Sequence, residues 1–141
     1  MGDLTKNLSR HEFACKCGCG FDTVDIHLAE ILQEEVQYFY INSDPDVARV
    51  SIIIKSGCRC PVWNKIEGGS SKSRHMDGQA ADFKLKYVLK DGTKEQINPD
   101  KIAAHLDKRF KYDYGIGWYN GRTHFDVSSS GRRRWDMRKK K

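Results

Sequence analysis

The chain has 141 residues, 38% of them hydrophobic and 11% aromatic, with a formal net charge of +6 at pH 7. That length holds one domain around one core, and the composition excludes a fibre or a disordered chain. Arg132 to Lys141 carries seven Arg and Lys against Asp136 alone, which accounts for the whole excess, so the remaining chain is neutral in sum and the basic character reads as that of a tail.

At the N-terminus, MGDLTKNLSRHE lacks the apolar core of a secretion signal, and nowhere does an apolar run approach the roughly 18 residues that span a bilayer. Cytoplasmic synthesis without membrane insertion is expected. Ser9 and Glu12 have capping-box spacing, which predicts a short helical turn. Gly18 and Gly20 force a loop among Cys15, Cys17 and Cys19; Cys58 and Cys60 form a second cluster. Five cysteines without a signal peptide argue against a disulfide framework. Alternate thiols of an extended segment share a face, so a structural metal, a tie of the Cys15–Cys60 kind, or free buried thiols all remain open.

From Asp25 to about Ile41, apolar Ile26, Ala29, Leu32, Val36 and Phe39 recur near the helical period. Pro45 ends that helix, and the β-branched run Arg49 to Lys55 predicts a strand. Ser56 to Arg59 turns, Pro61 to Lys65 suits a helical turn, and Glu67 to Ser73 is a loop that delivers His75. Strands over Ala80 to Leu89 and Thr93 to Ile97 flank Asp91-Gly92, a hairpin signal. A helix follows from Pro99, with Ile102, Ala103, Leu106 and Phe110 as its buried stripe. Beyond Gly115 and Gly117, Arg122 to Ser128 alternates as a strand. Residues 132–141 read as a solvated, frayed basic tail behind a domain over 1–131, with attraction of an anionic polymer as the alternative.

Strand alternation assigns chemistry to faces. Thr123, Phe125 and Val127 point to the core, which puts Arg122, His124 and Asp126 together on the other side. By the same count Ala81, Phe83 and Leu85 face inward and Asp82 outward. His75 precedes Asp82 by seven residues, with Gly78 between them to let the backbone bend. Two imidazoles and one carboxylate suit Zn²⁺ and leave a position open for catalysis.

The order of motifs narrows this reading. Ser73-Arg74-His75-Met76-Asp77-Gly78-Gln79-Ala80-Ala81-Asp82 resembles the S-x-H-x-x-G-x-A-x-D signature of the M15 metallopeptidases. Ser56-Gly57-Cys58-Arg59 is similar to their S-G-x-R segment, and Gly115-Ile116-Gly117 with His124-Phe125-Asp126-Val127 to their closing segments. The likeness runs from about Leu8 to Trp135, and its Glu12 to Gly20 opening resembles a branch frequent in phage and prophage proteins. The resemblance implies zinc held by His75, Asp82 and His124. It also implies a small single α+β domain with helices packed on an antiparallel sheet, as in hedgehog domains, and hydrolysis of peptidoglycan stem peptides by a monomer that another component delivers to the cell wall. The bond cut would be a terminal D-Ala-D-Ala link or an internal L-Ala–D-Glu link.

In that family the S-G-x-R arginine lines the active site, which makes Arg59 the candidate for a substrate carboxylate or oxyanion. Relatives place an acid three residues before the last zinc histidine; here Gly121 stands there, and Arg122 follows it. Asp126 is the nearest carboxylate on the face of His124, either as general base or as the group that orients a ligand. Tyr119 is a further candidate as proton donor or oxyanion partner. His11 and His27 read as surface or capping groups, His105 as a boundary residue, Asp77 as solvated, and Ser73 as a support within the zinc loop. Two competing readings are a zinc-containing cell-wall binding module without activity and a nucleic-acid-binding zinc module. The second lacks the expected C-x-x-C and H-x-x-x-H spacings, so nucleic acid is not an expected partner.

Overall fold

The computed structural model describes residues 2–139. In chain order its elements are α1 (Ile26–Ile41), β1 (Val47–Ser56), α2 (Pro61–Ile66), β2 (Ala80–Leu89), β3 (Lys94–Gln96), α3 (Pro99–Arg109), β4 (Gly115–Trp118), β5 (Thr123–Asp126) and β6 (Arg133–Asp136). Single 3-10 turns lie at Arg10–Phe13 and Arg74–Asp77. The strands form one sheet in the order β1-β2-β5-β4-β6, and β3 pairs with the second half of β2. Neighbours are antiparallel except β4 and β6. This is the expected α+β class.

Local chemistry sets the element ends. Asp25 caps α1 by accepting from the His27 backbone N–H at 2.8 Å, and Asn98 caps α3 by accepting from that of Asp100 at 2.9 Å. Pro99 stands in the first turn of α3, where its missing N–H has no helical partner to lose. The Ser9 N–H donates to Glu12 Oε1 at 2.8 Å, half of the expected capping box. At the predicted hairpin, Gly92 takes φ +91°, a conformation that strains residues with a Cβ.

Helices α1 and α3 cover one face of the sheet. Val50, Ile52 and Ile54 of β1, Ala81, Phe83 and Leu85 of β2, Ile116 of β4 and Phe125 of β5 pack with Leu28, Leu32, Ile102 and Leu106 from the helices. Of the residues expected inward, Ala81, Phe83, Leu85, Phe125 and Val127 join this core, while the polar residues of the other face, Asp82, His124 and Asp126, are buried as well. Each of the Val, Ile, Leu and Phe side chains of the core contributes about 1.5–3 kcal/mol through burial. A charged group also sits inside this layer. Glu35 of α1, fully buried, meets His105 Nδ1 and Arg109 Nη1 of α3, each at 2.8 Å, while Tyr38 stacks on His105 with ring centroids 3.6 Å apart. Periodicity marks apolar positions only, so this tie between helices was invisible to it.

The C-terminus departs from the sequence-based expectation. Residues 133–136 are not a frayed tail: β6 adds to the sheet beside β4, with Gly115 opposite Arg133 and Gly117 opposite Trp135. Arg134 donates to Asp107 at 2.6 Å and to the carbonyls of Phe110 and Tyr114 at 2.6 and 2.7 Å. Charge density suggested solvation, but these arginines have carboxylates and carbonyls to meet. Lys140 and Lys141 of the expected tail lie outside the described residues. Among the described residues no helix is long and apolar enough to cross a membrane.

Candidate metal centre and its cleft

The sheet face away from α1 and α3 carries the polar side chains. Asp82 and His124 are cross-strand partners in the β2–β5 register, so residues 42 apart in sequence meet because two strands pair. His75 comes from the 3-10 turn, where Ser73 Oγ accepts from the His75 N–H at 3.2 Å and Gly78, at φ +69°, reverses the chain into β2. A Cβ on Gly78 would also lie 2.5 Å from the Thr23 carbonyl oxygen. The turn is latched to the end of β1: His75 Nδ1 lies 2.7 Å from the Gly57 carbonyl, and the Arg59 N–H donates to the His75 carbonyl at 2.9 Å.

These contacts select ring nitrogens. With Nδ1 of His75 bonded to a carbonyl, its Nε2 faces Asp82 Oδ2 at 3.6 Å. His124 is turned the opposite way, Nδ1 lying 2.9 Å from Asp82 Oδ1 and Nε2 lying 3.0 Å from Asp126 Oδ2. One donor atom from each of His75, Asp82 and His124 lies within 4.8 Å of the others, all three residues buried. Two nitrogens and one oxygen, with a carbonyl and a carboxylate fixing the imidazoles from behind, form a donor set that fits Zn²⁺.

Asp126 sits behind His124 rather than beside Asp82. Besides His124 it binds the Arg133 guanidinium through both oxygens, and Oδ1 accepts from the Ser128 N–H at 3.3 Å. Burial alone would raise the Asp82 carboxyl, but hydrogen bonds with His124 and His75 outweigh it and hold it well below the usual carboxylate range. Asp126 is depressed in the same manner, burial being outweighed by His124 and Arg133. For His124 burial disfavours the cation, yet hydrogen bonds with Asp126 and Asp82 raise it.

The Gly115-Ile116-Gly117 segment now has a physical reason. A Cβ on Gly115 would lie 2.3 Å from Asp126 Oδ2, and one on Gly117 would lie 2.6 Å from Trp135 Nε1. The glycines thus admit the Asp126–Arg133 pair and the Trp135 ring, whose centroid is 4.8 Å from that of His124.

Arg59 lines the cleft beside the triad. Its fork donates to Ser56 Oγ at 3.0 Å, Asn64 Oδ1 at 3.2 Å and Asp82 Oδ2 at 3.3 Å. Tyr119 lines the same cleft, its hydroxyl accepting from Trp135 Nε1 at 3.0 Å. Arg122, which the sequence placed on this face without a role, lies 3.7 Å from Asp82 and stacks over Tyr119 at 4.1 Å. Arg133 and Trp135 were missed because they were counted as tail; the aromatic within the basic run was the available signal. The cleft has a volume of about 550 Å³ and is lined by Arg59, Lys72, Arg74, Arg122 and Arg133 against Glu67, Asp82 and Asp126. Cations outnumber carboxylates, which favours anionic ligands.

No curated protein and no solved structure matches the chain. A family model described as Peptidase M15 matches residues 6–126, a span that takes in the N-terminal cysteines, Arg59, the triad and Asp126. With most of its length so matched, this chain belongs to the peptidase M15 family.

Proposed function

We propose that this M15 peptidase is zinc-dependent and hydrolyses peptide bonds in peptidoglycan stem peptides, at a terminal D-Ala-D-Ala link or an internal L-Ala–D-Glu link. The observation that carries this reading is the buried His75, Asp82 and His124 set opening into a cleft with excess positive charge. Stem peptides carry free carboxylates, which Arg59 and Arg122 can receive through paired N–H donors. Zinc held by the three side chains supplies a Lewis acid for the scissile carbonyl and makes water acidic enough to deprotonate near neutral pH.

The chain's own groups account for the rest. Asp82 is kept ionised and is oriented by Arg59 and Arg122. Asp126 fits the orienting role, because it holds Nε2 of His124 while Nδ1 turns to Asp82. Arg59 and the Tyr119 hydroxyl are the groups proposed to stabilise developing negative charge or supply a proton. A monomer produced in the cytoplasm and delivered to the wall by another component, of phage or prophage origin, completes the proposal; its support is the resemblance of the cysteine-rich opening.

The test is digestion of purified peptidoglycan by zinc-loaded protein, with new termini identified by mass spectrometry and His75→Ala as control. Failure of the loaded protein to release peptide or amino acid from any wall chemotype defeats the hydrolase reading. A wall-binding module without turnover is favoured by one observation: Asp126 is committed to Arg133 and His124, which leaves Glu67 as the other carboxylate lining the cleft besides Asp82. Co-sedimentation with sacculi without release identifies that case.

A further inference from the structure

A second cluster of metal-capable side chains lies outside the cleft lining, where the N-terminal loop meets the start of α2. Cys15, Cys17, Cys19 and Cys60 each bring one sulfur within 4.8 Å of the other three. The Cys15 and Cys17 sulfurs are 3.4 Å apart, and those of Cys17 and Cys60 3.7 Å apart. Four thiolates around zinc at bonds of about 2.3 Å place their sulfurs ~3.8 Å apart, so the two close contacts, in a group whose sulfurs all lie within 4.8 Å of one another, are compatible with a tetrathiolate site.

The backbone is arranged for the same purpose. Gly18 and Gly20 take φ of +83° and +87°, which coils the loop so that residues 15, 17 and 19 converge on one point instead of being strung out along one face of an extended chain. The loop is closed by the Cys15 N–H donating to the Phe21 carbonyl at 2.7 Å. Two further amides aim at sulfur: Cys60 N–H to Cys15 Sγ and Trp63 N–H to Cys60 Sγ, both at 3.4 Å. Amide donors stabilise thiolate charge, as they do at a helix N-terminus. Cys17 neighbours two sulfurs at once, whereas a disulfide would take one partner and leave the others unused. Cys58 is buried and stands outside the group.

We propose that Cys15, Cys17, Cys19 and Cys60 bind a second, structural Zn²⁺. Four thiols deprotonate as the ion binds, four Zn–S bonds form, four protons pass to solvent, and no redox change occurs. The site clamps the N-terminal loop to the segment that follows β1. That segment also carries Arg59, and the Cys58 N–H bonds the Phe13 carbonyl at 2.7 Å. The metal would therefore hold the approach to the cleft in place from outside it.

The test is metal stoichiometry of the full chain, independent of peptidase activity. Wild-type protein is expected to carry two zinc equivalents, His75→Ala one, and the doubly substituted Cys17→Ser/Cys19→Ser protein one. Both replaced thiols are exposed, so the fold should tolerate the change. Cobalt substitution of the wild type should give intense thiolate-to-metal charge-transfer bands that His75→Ala retains and the cysteine variant loses. The proposal is overturned if the cysteine variant keeps both equivalents, if cobalt shows no thiolate bands in the wild type, or if the intact mass of non-reduced protein shows the deficit of a disulfide.

Discussion

Replacing Arg133 by Ala tests whether the C-terminal strand belongs to the folded domain. Asp126 is 1% exposed and Arg133 31% exposed, and the guanidinium meets both carboxylate oxygens. Breaking a buried ion pair from one side costs about 3–5 kcal/mol because a charge is left without its partner. Partial exposure of Arg133 and the remaining bonds from His124 and Ser128 reduce this to about 2–3 kcal/mol. An unfolding entropy of about 2.1 cal/mol/K per residue gives about 0.3 kcal/mol/K for this chain, so the midpoint should fall by about 7–10 °C. Thermal unfolding followed by circular dichroism, with zinc at saturation in every sample, measures it. Arg132→Ala, at an exposed position, should stay within about 0.5 kcal/mol of wild type. In an Asp126→Asn background the Arg133→Ala loss should shrink below about 1 kcal/mol, since the stranded charge is gone. An Arg133→Ala midpoint within about 1 °C of wild type, or an equal loss in both backgrounds, refutes the reasoning.

Asp126→Asn should keep zinc at the triad but weaken it by about 10–100-fold, since the group behind His124 is altered and the ligand is not; competition with a chelator reads this, and an unchanged affinity contradicts the orienting role. Arg59→Lys keeps the charge but loses the fork shared by Ser56, Asn64 and Asp82, so kcat/KM on stem peptides should fall by about 10²–10³-fold, while a change under threefold removes Arg59 from the reaction. In metal-free protein, Asp82 and Asp126 have folded values below their unfolded ones. Their stabilisation is complete above about pH 4 and is lost progressively below it, as pH falls toward and through the much lower folded values. His124 is raised, so its stabilisation is complete below about pH 6.5 and is lost as pH rises through the folded value. The midpoint of chelator-treated protein should therefore peak in mildly acidic solution, and a curve flat from pH 3 to 8 excludes this linkage.

The element boundaries and the face that carries His124 were legible because they depend on local rules. Asp25, Asn98, Pro99 and Gly92 act through their own backbone neighbours, and strand alternation alone puts His124 on the face opposite Phe125. Choosing His75 and Asp82 as its companions needed the motif order as well, since alternation does not say which strands pair. Tertiary structure alone decided the remainder. Asp126 reads as a free carboxylate until Arg133 reaches it from β6, and Arg133 reads as solvated until β4 and β6 pair. Glu35, outside the apolar stripe of α1, is buried only because α3 brings His105 and Arg109 against it. A charge is assigned by sequence, but its partner is assigned by packing, and a buried ion's role depends on that partner.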